Sequence, residues 1–278
     1  MDYILKFVTD AGEFLMGDGR HDYFKISSVR GLGFPEVERQ TVVYTGRRGE
    51  KTVSKRFLPR VITICGDVLK KESVKEITSY LSESGVLYIK QGDGERKINV
   101  TPTAMEDIEK IGDVTRLVIQ FTADDPAFCD TVAERVGIYE RADLVSGTFT
   151  LPCVFTKRVE GGTLINSGDV ISEPVITVIC NGASETEASL VIKNKDTGAK
   201  IDLKKSFAEG DTVTIDTQNA EIYDQNGNSL LSYISNDTYI SEFVLKKGEN
   251  EISVVSSELS SQLIVVCEFD RKYLEANI

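Results

Sequence analysis

The chain has 278 residues, of which 41% are hydrophobic and 27% are charged, and its formal net charge is −12. Because domains usually run ~100–200 residues, this length and balance predict two globular domains, each with its own core. The acidic charge argues against specific or nonspecific nucleic-acid binding, and the longest nearly apolar stretch, 175–180, is far shorter than the ~20 residues that a membrane span needs.

The first part of the chain has the pattern of short strands, turns and one helix. Val74, Ile77 and Leu81 fall on one face at helical spacing, which predicts a helix, and Gly85 is a candidate for its C-terminal end. Thr103 has capping-box spacing to a following glutamate, which predicts a short helical piece. The predicted strands are 24–29, 61–65, 86–90, 95–101 and 117–121, with a hairpin turn at 91–94.

Beyond Ser146-Gly147 the pattern is almost entirely β, so we place a domain boundary there and predict domains at 1–132 and 145–278. Short apolar runs alternate with turn dipeptides such as Asn226-Gly227, a cadence that is typical of a sandwich or barrel. The predicted strands are 149–156, 170–180, 188–194, 199–204, 211–217, 220–224, 229–234, 240–247, 250–256 and 262–269.

The residues that catalysis or metal binding would need are scarce. His21 is the sole histidine, so neither an imidazole-based nucleophile nor a histidine zinc site is supported. The five cysteines are odd in number, widely spaced and without CxxC, which predicts buried or incidental thiols in a reducing cytoplasm: Cys65, Cys129, Cys153, Cys180 and Cys267. We therefore expect no catalytic residue, cofactor, metal or disulfide, although a pair of glycosidase carboxylates stays open on composition alone.

One stretch departs from the acidic character of the chain. Residues 47–60 contain six basic residues and one acid. Either this stretch is a solvated hairpin edge that its charges keep soluble, or it is a contact arm that docks on an acidic surface, such as that of another copy. The candidate interface residues are Arg47, Arg48, Lys51, Lys55, Arg56 and Arg60.

Several short motifs, taken in order, resemble the siphovirus-type bacteriophage distal tail proteins of the phage tail component family. They are the strand 23–31 running into the basic loop, the segment 85–89 leading to 118–121 and Asp125-Pro126, the run Asn166-Ser-Gly-Asp169 before Pro174, and the run Leu245 to Ile252 around Gly248 and Asn250. Ala127 departs mildly from the family pattern, and the order of the motifs carries the resemblance more than any one of them.

The resemblance implies a mainly β protein with an α+β, β-rich N-terminal domain that forms a homo-hexameric ring, followed by a galectin-like β-sandwich. Such a ring joins the tail tube protein to the tail hub or tail-associated protein, with receptor-binding or baseplate proteins at its periphery. The protein is then made in the bacterial host cytoplasm and located at the virion tail tip, where an acidic channel would not retain the passing DNA. The alternatives are a carbohydrate-binding module for host-surface glycans and a glycosidase of the host wall.

Overall fold

The computed structural model describes residues 3–17, 24–46, 48–68, 71–143, 156–159, 161–181, 187–256 and 263–276. The chain divides into two compact units. The first unit comprises Met1–Thr131 together with the C-terminal segment Tyr273–Ile278, and the second comprises Val132–Lys272. The chain thus leaves the first unit once and returns to it with its last residues.

The first unit consists of strands and one α-helix, as far as its residues are described. The strands are β1 (Tyr3–Thr9), β2 (Gly12–Gly17), β3 (Phe24–Arg30), β4 (Val37–Val42), β5 (Lys51–Phe57), β6 (Arg60–Val68), β7 (Gly85–Gln91), β8 (Gly94–Ile111), β9 (Val114–Ala123) and β10 (Phe128–Asp130), and the helix is α1 (Lys71–Tyr80).

Seven of the described strands close into a barrel in the order β8-β7-β1-β2-β3-β6-β9, because β9 pairs back onto β8. The long strand β8 makes this closure possible. Its first part pairs with β7 up to Val100, and its second part pairs with β9 from Thr101 onward. Alternate residues of β6 and β9 are buried, as expected for strands with one face on a core.

Aromatic rings fill the barrel. Phe7, Phe24, Phe121 and Phe128 are fully buried, and the rings of Phe7 and Phe121 lie 4.9 Å apart between centroids. The helix predicted from the spacing of Val74, Ile77 and Leu81 is present as α1, and it buries Ile77. Each large buried ring contributes hydrophobic stabilisation of ~1.5–3 kcal/mol.

Two local expectations in this unit are changed by tertiary pairing. The helical piece predicted after Thr103 is wrong, since these residues belong to β8 and pair with β9. Gly85 does not end the helix, which stops at Tyr80, but begins β7. A Cβ at Gly85 would lie 2.3 Å from the Val8 carbonyl oxygen, so close strand approach requires the glycine there.

The second unit is a sandwich of two antiparallel sheets. Its strands are β11 (Glu134–Asp143), β12 (Thr156–Val159), β13 (Gly161–Asn166), β14 (Val175–Cys180), β15 (Ala188–Asn194), β16 (Lys200–Lys205), β17 (Thr212–Asp216), β18 (Glu221–Asp224), β19 (Gly248–Ser256) and β20 (Leu263–Phe269), and β21 (Lys272–Tyr273) follows at the return to the first unit. The sheet orders are β12-β11-β20-β14-β17-β18 and β13-β19-β15-β16.

Side chains from both sheets form one continuous core. Residues such as Val178 and Val265 from the first sheet and Ile192 and Ile252 from the second share it, and alternate positions of β14 are buried. The predicted mainly β fold is therefore confirmed. Two expected strands are wrong in detail, because 229–234 and 240–247 contain the short 3-10 turns Leu231–Tyr233 and Ile240–Glu242 instead.

Candidate subunit interface

The hairpin of β4 and β5 is a two-stranded sheet of its own, and it pairs with no strand of the barrel among the described residues. All seven residues of β5 are exposed, as are all residues of β4 except the half-buried Val37. A strand that rests on a core shows alternating burial, and neither strand does. An isolated two-stranded hairpin is only marginally stable in water. Because its residues are exposed, both faces of this hairpin are accessible to a partner.

The hairpin carries four of the six basic residues predicted as an interface. Arg48, Lys51, Lys55 and Arg56 are exposed on β5 or on the turn before it. Arg47 lies outside the described residues. The structure therefore brings the described arginines and lysines of 48–56 together on one projecting element.

On one face of the hairpin, polar side chains form hydrogen bonds with each other across the two strands. Arg56 donates a hydrogen bond to the Glu38 carboxylate at 2.5 Å, and Ser54 donates one to Gln40 at 2.9 Å. Both pairs connect residues that are directly opposite in the strand register. These contacts are exposed, so each contributes little stability, but they fix the geometry of this face.

Arg60 differs from the rest of the predicted set, because its side chain is buried and only 4% exposed. Its guanidinium donates hydrogen bonds to four backbone carbonyl oxygens at 2.5–2.7 Å and stacks 4.4 Å from the Phe128 ring centroid. The accepting carbonyls belong to Gly31, Gly33, Pro126 and Leu274. Burial lowers the Arg60 pKa to about 10, an effect that the nearby Glu275 carboxylate opposes.

Arg60 consequently positions the hairpin instead of contacting a partner. The carbonyls of Gly31 and Gly33 precede β4, and Arg60 itself follows β5, so one side chain ties both roots of the hairpin to the barrel. The Leu58 amide donates to the Glu36 carbonyl at 2.9 Å and closes the base. Sequence proximity grouped Arg60 with the exposed cations, whereas its burial was not readable from the local pattern.

The same side chain holds the C-terminal segment. Besides the Arg60 bond to Leu274, the Ala276 amide donates to the Leu32 carbonyl at 2.9 Å, and Ala276 is fully buried in the barrel core. The Arg96 guanidinium lies 3.8 Å from the Tyr273 ring centroid. The segment 273–276 therefore contributes to the core of the first unit, which no motif in the sequence indicated.

The motifs that carried the family resemblance in the second half are buried structural contacts. Asn166 donates to the Val170 and Leu245 carbonyls, and its side-chain oxygen accepts the Gly168 amide at 3.0 Å. A Cβ on Gly168 would lie 2.6 Å from the Lys272 carbonyl oxygen. These residue types are therefore required to shape the loop after β13.

Asn250 plays the same part in the other motif. Its side chain accepts the Lys246 amide and donates to the carbonyls of Lys246 and Gly248, at 2.8 to 3.1 Å. Gly248 has φ of +93°, a conformation that side-chain-bearing residues rarely adopt. The motif thus encodes a tight turn whose backbone groups form their hydrogen bonds with the side-chain amide of Asn250.

The described residues offer little chemistry for catalysis. A half-open cleft of about 300 Å³ beside the end of α1 is lined by Thr78, Leu81, Ser82 and residues 102–105, none of which titrates near neutral pH. No group of three potential metal ligands is found among the described residues, and His21 is outside them. No helix in the described part of the chain has the length and apolar character to cross a membrane.

The described cysteines are free thiols. Cys180 and Cys267 are buried and Cys65 and Cys129 are partly buried, whereas Cys153 lies outside the described residues. Burial, with a smaller contribution from Glu268, raises the Cys267 pKa to about 12. A thiol with so high a pKa is not a nucleophile at neutral pH.

Comparison with known proteins connects this architecture to phage tails. Residues 167–273 match the family model of the siphovirus-type tail component, C-terminal domain. No match is found among curated proteins. The structure is similar to that of the SPP1 Dit protein, described as a paradigm of hub adsorption apparatus in Gram-positive infecting phages, with a TM-score of 0.69 at 12% identity over 98% of this chain and 99% of that one.

Baseplate structures share the fold as well. A chain of the phage P2 baseplate in its activated conformation with Ca matches with a TM-score of 0.53 at 10% identity over 98% of both chains. The corresponding phage p2 structure with Sr gives 0.52 at 9% identity over 96% of this chain and 97% of that one. At these identities the likeness is one of fold. Together with the family match it confirms the predicted resemblance to siphovirus-type distal tail proteins and supports a structural role in the phage tail.

Proposed function

We propose that this protein forms a homo-hexameric ring at the tip of a phage tail, where it joins the tail tube to the hub and the host-adsorption apparatus. The observation that carries the proposal is the extent of the shared fold, which covers 98% of this chain and 99% of SPP1 Dit. Both units therefore have counterparts in one protein of a hub adsorption apparatus. The independent family match falls on residues 167–273.

The two units take different parts in this proposal. The barrel builds the ring, and the sandwich faces the periphery, where receptor-binding or baseplate proteins attach. Residues 1–132 carry 19 basic and 21 acidic residues and are nearly neutral, whereas the remainder carries 13 basic and 23 acidic residues. A nearly neutral unit meets another copy with little net repulsion, and a ring that carries no net positive charge does not retain DNA.

The basic hairpin supplies contacts between subunits or to a neighbouring tail protein. Arg48, Lys51, Lys55 and Arg56 are placed for this by their exposure, and Arg47 belongs to the same stretch. Arg60 acts indirectly by fixing the hairpin roots. The role is structural and involves neither catalysis nor a cofactor.

Assembly is tested on the purified chain, alone and with tail tube and hub proteins. Mass photometry over a wide concentration range, with negative-stain imaging, is expected to show sixfold rings. Ring formation weakens as salt rises, because the Debye length falls to ~3 Å at 1 M. A chain that stays monomeric even with both partner proteins present would refute the ring.

The hairpin is tested by reversing two of its charges. The double variant Arg47→Glu, Arg48→Glu is expected to lose assembly while circular dichroism stays unchanged, because a solvated stretch tolerates charge reversal and Arg48 is exposed. The matched control reverses Lys193 and Lys204, which are exposed on the second unit. If the double variant assembles as well as the wild type and the control do, the hairpin is only a solvated surface feature.

A further inference from the structure

The two faces of the basic hairpin differ in how their charges are satisfied. On one face, Glu38 pairs with Arg56 and Gln40 with Ser54. The other face, here called the cationic face, consists of Val37, Arg39, Lys55 and Phe57, which alternate with the first set along the strands. The cationic face therefore combines two apolar side chains with two positive charges.

Within a single copy of the chain, the positive charges of the cationic face destabilise the hairpin. Arg39 lies directly opposite Lys55 in the strand register, and like charges at such positions destabilise a hairpin. Neither residue has an acidic partner within salt-bridge distance in the described part of the chain. Phe57 is also exposed and has the Phe34 ring as a neighbour at 5.9 Å. An acidic, partly apolar surface from outside the chain would relieve both the repulsion and the exposed apolar area.

The first unit has a surface of this kind at the turn between β8 and β9. Residues 106–113, here called the acidic tip, carry four acids and one lysine, and all are exposed. Ile108 and Ile111 within the tip are 59% and 67% exposed. Arg116 at its base is already engaged by Asp67 at 2.9 Å and by Glu109 at 3.7 Å.

The remaining acids of the tip are not held by any cation that the structure describes. Glu106, Asp107 and Asp113 have no ion-pair partner among the residues that the structure describes. The acidic tip and the cationic face are therefore complementary. The tip has unpaired negative charge beside exposed isoleucines, and the cationic face has unpaired positive charge beside Val37 and Phe57. Such charge complementarity steers the encounter of two surfaces and fixes their relative register.

The barrel places the two surfaces at opposite ends of one strand. The hairpin root adjoins Arg60, which is paired with Ala123, and the acidic tip follows the pairing of Val68 with Thr115. Strand β6 has nine residues, so these ends lie ~26 Å apart at ~3.3 Å per residue. The surfaces leave the barrel at different ends, which favours contact between two copies over contact within one.

We propose that the cationic face of one copy docks on the acidic tip of a second copy of this chain, head to tail. This inference deepens the proposed ring and rests on it. A contact between two different surfaces repeats from copy to copy and closes into a ring when the rotation permits. Arg39 and Lys55 meet Glu106, Asp107 and Asp113 of the neighbour, while Val37 and Phe57 cover its isoleucines.

Charge reversal on each side tests this pairing. The face variant is Arg39→Glu, Lys55→Glu, and the tip variant is Glu106→Lys, Asp113→Lys. Each alone is expected to raise the concentration for half-assembly at least ~10-fold in sedimentation velocity. The matched control, Lys25→Glu with Lys90→Glu, makes the same charge change at exposed positions of the same unit and assembles as wild type does.

The decisive measurement mixes the two variants. In an equimolar mixture the reversed face meets the reversed tip and the native face meets the native tip, so alternating assembly returns. A chain that carries both reversals also recovers. Circular dichroism and thermal melts of every variant establish that the barrel remains folded.

The outcomes separate this inference from the proposed ring. If wild type assembles and the face and tip variants do so equally well, the ring stands and the docking is wrong. Loss of assembly in each variant without recovery in the mixture also overturns the pairing. If the face variant assembles normally but loses binding to tube or hub protein, the cationic face belongs to that partner and the inference falls. A wild type that remains monomeric with all partners refutes the ring and the docking together.

Discussion

Arg60 provides a sharp test of how the first unit is held together. In Arg60→Met, a shorter unbranched apolar side chain replaces the arginine, so the aliphatic stem is largely kept while the guanidinium contact with Phe128 and four part-buried hydrogen bonds to backbone carbonyls are lost. A hydrogen bond to a charged group contributes ~1.5–3 kcal/mol net. Some of the carbonyls regain water in the variant, so we expect a loss of ~3–5 kcal/mol in the free energy of unfolding of the first unit.

Differential scanning calorimetry measures this loss. For a unit of this size it corresponds to a fall in melting temperature of ~10–20 °C. Hydrogen exchange gives a local readout, because the Ala276 amide bonded to Leu32 should exchange much faster once Leu274 is released. Arg60→Lys keeps the charge but replaces the fork of donors by a single ammonium, so an intermediate loss is expected.

The matched control is Arg56→Met, which removes an arginine that is 74% exposed and makes one surface ion pair with Glu38. Such a pair contributes at most ~1 kcal/mol. If Arg60→Met were no more destabilising than this control, or if exchange of the Ala276 amide did not change, Arg60 would not hold the segments together and the reasoning would be refuted.

Three further predictions concern stability and titration. Deleting Tyr273–Ile278 is expected to lower the melting temperature of the first unit, because the buried Ala276 leaves its core; unchanged calorimetry would contradict this. Native protein at pH 8 should be alkylated by iodoacetamide at Cys65 well before Cys267, whose pKa burial raises to about 12, and peptide mass spectrometry would expose the reverse order. Hydrogen bonding to Lys200 is the main cause that lowers the Asp237 pKa to about 2, so the stability it contributes is present above pH ~4 and is lost as pH falls through 2. Carboxyl titration by NMR should show this pKa rising in Lys200→Met, and no change would disprove the assignment.

Local chemistry in the sequence was sufficient for elements whose signals are short-range. The spacing of Val74, Ile77 and Leu81 predicted α1, and the glycines at 92 and 94 predicted the β7–β8 hairpin. Alternating apolar runs in the second half likewise predicted a β-rich unit. Helical period and turn preference act over a few residues, so a single sequence displays them.

Pairing over long distances was decided by tertiary structure. The segment after Thr103 has a helical capping signal, yet it continues β8 because β9 needs a partner to close the barrel. The residues 229–234 have the composition of a strand but form a short 3-10 turn. Propensity is a weak preference that packing overrides.

The candidate site shows the same division. Composition alone revealed the basic stretch 47–60, because charge contrast is visible in a sequence. Only the fold separated the buried Arg60 from the exposed Lys55 and Arg56, and only the fold brought Leu274 to it across 214 residues. Which side chains of a charged stretch face solvent depends on the strands and carbonyls that surround them, and those neighbours come from distant parts of the chain.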